Sequence, residues 1–181
     1  MSSDRVIGAI RQCRPEDLPE LCELVNEIIL MGSTTALERP FTVEGFVDHF
    51  FNQQIQISCF VAEGTEGELL GFQILSYHEQ LPEDWADIAT FVRTSPRFSG
   101  VGTALFTDTV ELADKFEINT LNAVIRADNV GGIAYYEKMG FTTWKVEKDV
   151  PLRSGRPVDR IYMRYLVRHA TLPHEEIPDE A

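Results

Sequence analysis

Two periods in the placement of apolar and polar residues divide this chain into strands and helices. Short runs rich in apolar and β-branched residues predict strands, over residues 5–13, 55–62, 69–77, 86–92, 121–126, 141–150 and 158–167. Apolar residues spaced three and four apart predict amphipathic helices, over residues 15–31, 43–51, 101–116 and 129–139. The predicted elements therefore follow the order β-α-α-β-β-β-α-β-α-β-β.

The last predicted strand alternates most cleanly. One face carries Ile161, Met163, Tyr165 and Val167, and the other carries Arg160, Tyr162, Arg164 and Arg168. Because successive side chains of a strand point to opposite faces, this pattern predicts a half-buried strand. Residues 171–181 contain two prolines and four acidic residues without Lys or Arg. We therefore expect residues 1–170 to form one domain and residues 171–181 a flexible acidic tail.

Length and composition favour one globular domain and argue against several classes of function. A chain of 181 residues with 44% hydrophobic residues can bury one sizeable core. Its net charge of −13 argues against nucleic acid as a partner, since phosphate binding needs a basic patch. No apolar run reaches the length of a membrane span and the first residues contain no apolar signal region. We therefore expect a soluble, cytoplasmic protein without a membrane partner.

The cysteines and histidines show no pattern typical of a metal site. Cys13, Cys22 and Cys59 are odd in number and contain no C-x-x-C spacing, which predicts neither a zinc site nor a disulfide framework. The four histidines have no ligand spacing either, so we expect no metal. The acidic surface has two interpretations, attraction of a cationic amine or solubility alone.

A loop with two glycines joins the predicted strand 86–92 to the helix that follows. Its sequence is Arg97-Phe98-Ser99-Gly100-Val101-Gly102. Glycine lets the backbone turn tightly and approach a ligand closely, and the first N–H groups of a helix have no partner within it. Since the positive end of the helix dipole lies at the same place, this arrangement favours a bound phosphate. An ordinary helix start after a glycine-rich turn is the alternative interpretation.

This loop is neither a Walker A sequence nor a full G-x-G-x-x-G, and its pattern is R-x-x-G-x-G. A second pattern follows, in which Asn129 precedes Tyr136 by seven residues and Gly140-Phe141 closes the segment. Together they resemble the GCN5-related N-acetyltransferase (GNAT) superfamily. Its acyl-CoA pyrophosphate loop reads Gln/Arg-x-x-Gly-x-Gly/Ala, and its second signature ends in Tyr-x-x-x-Gly-Phe. The resemblance covers roughly residues 5–167.

The resemblance implies an α/β (α+β) fold, in which a mixed central sheet has helices on both faces and is splayed between its fourth and fifth strands. It also implies acetyl-CoA as co-substrate, with the pantetheine arm in the splay. Backbone groups of Phe91 and Val92 would pair with this arm, while N–H groups from Phe98 to Thr103 would hold the pyrophosphate, with added charge from Arg97. The residues implied for cofactor binding are Phe91, Val92, Arg97, Phe98, Ser99, Gly100, Val101, Gly102, Thr103, Asn129 and Tyr136.

Acyl transfer to an amine needs one group that takes the amine proton and another that protonates the leaving thiolate. The resemblance places Tyr136 in the second role, for which a phenol is suited because it is neutral at pH 7. The alternative is a packed aromatic ring, which is our interpretation of its neighbour Tyr135. For the first role we prefer Asp87, because it lies on the fourth strand itself. The other candidates are Glu38, His78, Glu79 and Asp84, and each is also typical of a solvated loop residue.

The predicted activity is an N-acetyltransferase that moves an acetyl group from acetyl-CoA to a primary amine of a small molecule by direct attack in a ternary complex. Residues 33–40 resemble the phosphinothricin-type branch of the superfamily, which acetylates small amines and amino-acid analogues. Two alternatives stay open. One is a non-catalytic acyl-CoA-binding or regulatory protein, and the other uses a larger acyl group, which the space near Phe72, Phe91 and Ile125 would decide. A homodimer through the last strand or the sheet edge is expected by analogy alone.

The chain departs from the family pattern within the predicted cofactor site. Thr94 stands where proline is common, Pro96 where an aromatic residue is common, and Phe98-Ser99 where glycine and a basic residue are frequent. Gly131-Gly132 opens the last helix, and each glycine weakens a helix start by up to about 1 kcal/mol relative to alanine. These departures affect the expected affinity for the cofactor more than the fold.

Overall fold

Seven strands and four α-helices make up the described part of this computed structural model, which covers residues 7–32, 35–94 and 99–168. The strands are β1 (Ile7–Gln12), β2 (Ile55–Gly64), β3 (Leu69–Tyr77), β4 (Trp85–Val92), β5 (Thr120–Arg126), β6 (Thr142–Pro151) and β7 (Pro157–Leu166). The α-helices are α1 (Leu18–Met31), α2 (Val43–Val47), α3 (Val101–Lys115) and α4 (Val130–Lys138). Three predicted features lie outside the described residues: Ser33-Thr34, Arg97-Phe98 and the tail 171–181.

The strands form one mixed sheet in the order β1-β2-β3-β4-β5-β7-β6. Neighbouring strands are antiparallel except β4 and β5, which run parallel. Three register pairs join β4 to β5, the last between Asp87 and Asn122, although β4 continues to Val92 and β5 to Arg126. The two strands therefore separate beyond Asp87, and the predicted splay between the fourth and fifth strands is confirmed.

Each of the first two predicted helices consists of two segments in the structure. Residues 15–31 begin as a 3₁₀ turn (Pro15–Asp17) and continue as α1. Pro19 occupies one of the first positions of α1. A backbone N–H group at these positions has no acceptor within the helix, so the helix loses no hydrogen bond to proline there. Residues 43–51 divide into α2 and a π-helical turn (Asp48–Asn52).

Helices lie on both faces of the sheet, as predicted, and each pair of helices covers its own core. On one face α1 and α2 pack over β2, β3 and β4 around aromatic rings, and Phe72 stacks on Phe91 with ring centroids 5.0 Å apart. On the other face α3 packs mainly over β2 and β3 and α4 packs over β5, and the core beneath them extends to β7, where Met163 is buried. Strand β4 contributes side chains to both cores, one on each face of the sheet.

The half of the sheet formed by β5, β7 and β6 carries helices on one face only, because the core under α1 and α2 contains no described residue of these three strands. Strand β6 is exposed at nine of its ten positions. Val124 of β5 and Trp144 of β6 are 42% and 38% exposed, respectively. The uncovered face beside the splay is therefore open to a ligand that approaches from the side of α1 and α2.

Candidate active site

The N-terminal turn of α3 has the geometry of an anion site. Gly100 precedes the helix with a φ of +82°, a left-handed conformation that glycine adopts without steric cost. Ala104 N donates to Gly100 O at 2.9 Å, the first hydrogen bond of the helix. The N–H groups of Val101, Gly102 and Thr103 therefore have no acceptor within the helix. This turn can take the oxygens of a phosphate.

A cavity of about 730 Å³ lies where β4 and β5 separate. Ala89 and Phe91 of β4 line it, and so do Ile88 and Thr90. Because alternate side chains of a strand point to opposite faces, a cavity lined by both pairs passes through the sheet. Two molecules that enter from opposite faces of the sheet can therefore meet inside it.

The cavity brings together the predicted cofactor-binding residues that the structure describes. They come from the end of β4, the first turn of α3 and helix α4. The residues among them that line the cavity are Phe91, Val92, Ser99, Gly100, Val101, Gly102, Thr103, Asn129 and Tyr136. Lys138 also lines the cavity, and its ammonium group brings a positive charge that the sequence analysis did not assign to the site.

Four polar side chains form a hydrogen-bonded network beside the cavity. The hydroxyl oxygens of Tyr136 and Thr90 lie 3.0 Å apart. Gln73 donates to the Thr90 hydroxyl at 2.8 Å and to the Tyr135 hydroxyl at 3.3 Å. Burial raises the pKa of both tyrosines above its ordinary value, so both hydroxyls are protonated at neutral pH. Tyr136 therefore stands at the cavity wall as a neutral acid.

Tyr135 does more than pack, and in this respect the sequence interpretation was incomplete. Its hydroxyl donates to the carbonyl oxygen of Gly102 at 2.8 Å. A Cβ atom on Gly102 would lie 2.7 Å from the Tyr135 ring, closer than packed carbon atoms approach. The packing of Tyr135 against this turn therefore requires glycine at position 102.

Asn129 lines the cavity and also caps helix α4. Its side-chain oxygen accepts a hydrogen bond from Gly132 N at 2.8 Å, the usual role of an N-cap residue. A Cβ atom on Gly132 would collide with the Asn129 side-chain nitrogen. The glycine that departs from the family pattern therefore makes room for this cap, and the cap offsets part of the cost of glycine in the helix.

Asp87 lies at the closed end of the splay rather than among the residues that line the cavity. Its carboxylate accepts a hydrogen bond from the side-chain NH₂ group of Asn122 at 2.6 Å. Burial raises the pKa of Asp87, while the Asn122 hydrogen bond and the nearby His78 lower it. This is a carboxyl group held partly out of water, as a general base in an enzyme often is.

The structure gives the other candidate bases roles in loops. Glu38 accepts from Arg153 N at 2.7 Å, and Asp84 accepts from the Asn119 side chain at 2.8 Å. His78 Nδ1 accepts from the backbone of the same loop, and Glu79 is exposed. Asp87 is therefore the candidate with both burial and a position at the splay.

The segment between α1 and α2 closes one side of the cavity. Thr35 lines the cavity, and its carbonyl oxygen accepts a hydrogen bond from the Arg126 guanidinium at 3.1 Å. Arg126 is 5% exposed and forms two further hydrogen bonds with Asp128, at 2.6 and 2.8 Å. Asp128 also accepts from Arg156 at 2.9 Å. A buried arginine at the end of β5 thus fixes the position of this wall.

Arg93 lines the cavity, but its guanidinium group is engaged by α1. It donates to Glu27 at 3.0 and 3.1 Å and to Glu20 at 3.1 Å, and its Nε donates to the carbonyl of Leu69 at 2.8 Å. Two carboxylates therefore balance its charge. The arginine serves to join α1 to β3 next to the site.

The polar residues of this site that the sequence analysis did not assign lie in apolar runs. Gln73 interrupts the strand LLGFQILSY, and Asn122 interrupts LNAVIR. Both are buried, with 0% and 1% exposure. Since a buried amide needs a partner, the interruption itself is the signal that could have identified them.

Among the described residues, no group of three or more His, Cys, Asp or Glu side chains is arranged to hold a metal ion. In the same ranges no helix combines the length and the apolar character needed to cross a membrane.

Comparisons with known proteins point to one family. The profile of the Acetyltransferase (GNAT) family matches residues 31–141. The curated relative named "Putative phosphinothricin acetyltransferase YwnH", from Bacillus subtilis (strain 168), is 24% identical over 153 residues, which are 83% of this chain and 93% of that protein.

Two solved structures show the likeness of the fold. A GNAT superfamily phosphinothricin acetyltransferase (Pat) from Sinorhizobium meliloti, in complex with AcCoA, superposes with a TM-score of 0.78 at 21% identity and covers 96% of this chain and 97% of its own. The ribosomal-protein-alanine N-acetyltransferase from Brucella melitensis superposes with a TM-score of 0.76 at 23% identity, over 87% of this chain and 99% of its own.

Proposed function

This chain belongs to the acetyltransferase (GNAT) family, and we propose that it transfers an acetyl group from acetyl-CoA to a primary amine of a small molecule by direct attack in a ternary complex. The observation that carries this proposal is the cavity that passes through the sheet between β4 and β5. A cofactor that enters from the side of α3 and an acceptor that enters from the side of α1 would meet there.

The cofactor would bind to groups that lie on one path. The end of β4 continues past its last pair with β5. The backbone groups of Val92 face the splay and those of Phe91 face β3, because Arg93 N donates to Leu70 O of β3 and these groups alternate in direction along a strand. The Val92 groups can extend the sheet onto a pantetheine arm. The N–H groups at the start of α3 lie further along the same cavity and suit the pyrophosphate. The Sinorhizobium meliloti relative was crystallised with AcCoA, which supports the same ligand here.

In the proposed reaction the amine nitrogen attacks the thioester carbon, the C–N bond forms and the C–S bond breaks. The nitrogen loses one proton, for which Asp87 is the candidate acceptor, directly or through water. The CoA thiolate gains one proton, for which Tyr136 is the candidate donor. The products are an N-acetyl amide and CoA with a free thiol. Burial supports both roles, because it keeps the phenol protonated and makes the carboxylate a stronger base.

Three observations support a small acceptor and a short acyl group. The cavity of about 730 Å³ must hold both the pantetheine end and the acceptor. Phe91 and Ile125 line it, and Phe72 stacks behind Phe91, so this wall has little room to move. The Bacillus subtilis and Sinorhizobium meliloti relatives carry names of phosphinothricin acetyltransferases, and phosphinothricin is therefore the first acceptor to test.

We also infer a cytoplasmic homodimer. The three cysteines are free thiols, which is typical of a reducing compartment. Strand β6 ends the sheet and has a neighbour on one side only, so a second copy could pair with it. Light scattering on the purified chain measures the mass directly, and a monomer at micromolar concentration would contradict the dimer.

Thermal unfolding with acetyl-CoA tests the cofactor site. Ser99 is exposed and lines the cavity next to the start of α3, so Ser99→Glu places a carboxylate there and Ser99→Gln is a neutral control of the same size. A ligand at about 100 times its Kd stabilises by roughly 2.7 kcal/mol, several degrees for a domain of this size. We expect wild type and Ser99→Gln to shift and Ser99→Glu to lose the shift. No shift in wild type would contradict acetyl-CoA binding.

Release of the CoA thiol in the presence of small primary amines tests turnover. We expect release with phosphinothricin or another small amine, faster with acetyl-CoA than with longer acyl-CoA donors. Binding without release for any amine would instead support the non-catalytic alternative. Faster release with a longer donor would support the larger acyl group.

A further inference from the structure

We propose that Asn122 and Trp144 are positioning residues for Asp87, and that they hold one oxygen of its carboxylate so that the other can take the proton of the acceptor amine. This inference rests on the proposed function, because it assigns the source of order in the candidate base. It adds two residues, on β5 and β6, that do not line the cavity themselves.

The indole of Trp144 fixes the side-chain orientation of Asn122. Trp144 Nε1 lies 2.9 Å from Asn122 Oδ1, and an indole N–H can only donate. The oxygen of the amide must therefore face Trp144, and the NH₂ group must face Asp87, 2.6 Å away. The opposite orientation would set the NH₂ group of Asn122 against the indole N–H, so the assignment follows from the donors and acceptors themselves.

The hydrogen bond from Asn122 stabilises the ionised form of Asp87. Asn122 is 1% exposed, so its amide has no water with which to exchange this partner. Within residues 7–32, 35–94 and 99–168, Asn122 is the hydrogen-bond partner of the Asp87 side chain, at Oδ1. The second carboxylate oxygen is left to accept a proton. One oxygen is thus held while the other remains reactive.

The ionisable groups around Asp87 come from three elements. Burial raises the pKa of Asp87 and has the largest effect. The Asn122 hydrogen bond lowers this pKa, and so does His78 of the loop between β3 and β4. Asp87 in turn adds to the effect of burial in raising the pKa of Tyr136 on α4 and of Tyr162 on β7. Both tyrosines are neutral around pH 7.

Trp144 lies on the face of the sheet from which the acceptor would enter. It is 38% exposed on the uncovered face of the sheet. Its ring packs edge-on against Trp85, with centroids 5.3 Å apart, and against Tyr162, at 5.9 Å. The hydrogen bond to Asn122 orients the indole N–H, and the exposed part of the ring can contact the acceptor. An acceptor-side residue therefore controls the orientation of the candidate base through one amide.

A carboxyl-carbon NMR titration of Asp87 tests the positioning without any activity. The signal is assigned by its loss in Asp87→Asn, and the histidine signals are recorded alongside it. Trp144→Phe keeps the ring but removes the N–H, and Asn122→Leu removes the amide. Trp85→Phe is the matched control. The Trp85 ring packs on Trp144, whereas the hydrogen bond to Asn122 Oδ1 comes from Trp144. This variant therefore changes the packing and leaves the hydrogen-bond donor present. We expect the pKa of Asp87 to rise in Trp144→Phe and Asn122→Leu and to stay unchanged in Trp85→Phe.

The pH dependence of kcat/KM tests the use of this arrangement in the reaction. The acid limb should move to higher pH in Trp144→Phe, with kcat/KM on that limb about fivefold lower, the effect of one lost hydrogen bond. Above the limb the two enzymes should differ less. The same Asp87 pKa in Trp144→Phe as in Trp85→Phe would overturn the positioning, whatever the activity. A wild type that transfers no acetyl group would instead overturn the proposed function, and with it the catalytic use of Asp87.

Discussion

The hydroxyl of Tyr135 donates a 2.8 Å hydrogen bond to the carbonyl oxygen of Gly102, and it thereby joins helix α4 to the first turn of α3. Tyr135 also accepts from Gln73, which donates to Thr90, the partner of Tyr136. The turn proposed to bind pyrophosphate and the tyrosine proposed to protonate the thiolate therefore share one network.

Gly102→Ala should destabilise the protein, although alanine is the better helix former. Alanine in place of glycine favours a helix by about 1 kcal/mol, but the new methyl would lie 2.7 Å from the Tyr135 ring. Overpacking of this kind costs roughly 1–3 kcal/mol. Urea unfolding measures the change. In a Tyr135→Leu background the same substitution should cost less, and equal costs in both backgrounds would contradict the role of this contact.

Tyr136→Phe should lower kcat about 100-fold while acetyl-CoA still raises the unfolding temperature. The reason is that the hydroxyl would serve the leaving thiolate and not the binding of CoA. Tyr135→Phe is the matched variant, since it removes the neighbouring hydroxyl, and we expect it to weaken acetyl-CoA binding more than it lowers kcat. Equal losses of kcat in the two variants would contradict these separate roles. Because burial raises the pKa of Tyr136, wild-type activity should show no loss from its ionisation up to pH 10.

Asp87→Asn should stabilise the fold at neutral pH and abolish most of the activity. Burial raises the pKa of Asp87 in the folded state, so ionisation favours the unfolded state at any pH above that folded value. The difference in unfolding free energy between Asp87→Asn and wild type should shrink as the pH falls through the folded pKa, and it should vanish below the ordinary pKa of aspartate. Urea unfolding at a series of pH values measures it. A difference that grows on acidification would show that the sign is wrong.

Arg126→Met should raise the KM for the amine acceptor more than it affects acetyl-CoA binding. The guanidinium holds the carbonyl of Thr35, which lines the cavity on the side of α1 and α2. Arg156→Met is the control, because Arg156 is 58% exposed and shares Asp128 with Arg126, and exposed ion pairs contribute at most about 1 kcal/mol. Steady-state kinetics with the most active amine measures both variants. An acceptor KM that changes equally in both would contradict a role for Arg126 in this wall.

Most of the fold could be predicted from the sequence because its signals are local. Strand β3 was predicted over its full length, Leu69–Tyr77, since its apolar run lies between a turn rich in Gly and Glu and a polar loop. Gly140, which closes the second family pattern, follows α4 with a φ of +95°, the left-handed conformation typical of glycine after a helix end. The splay followed from the family resemblance and not from periodicity.

The polar network could not be predicted in the same way, because its partners are far apart along the chain. Gln73 contacts Thr90, 17 residues away, and Tyr135, 62 residues away. A pattern within one strand shows that an amide interrupts an apolar run, but not what it bonds to. Tyr135 was interpreted as a packed ring for the same reason, since its acceptor lies on another helix, 33 residues before it.

The three register pairs between β4 and β5 have a consequence for cooperativity. Because so short a ladder joins the two strands, the free protein should exchange its amide hydrogens faster at the unpaired ends of β4 and β5 than in the paired strands around them. A cofactor bonded along the end of β4 would take the place of the missing ladder. Acetyl-CoA would then act as an additional strand that joins the two halves of the sheet, and protection of the Val92 amide would report its arrival.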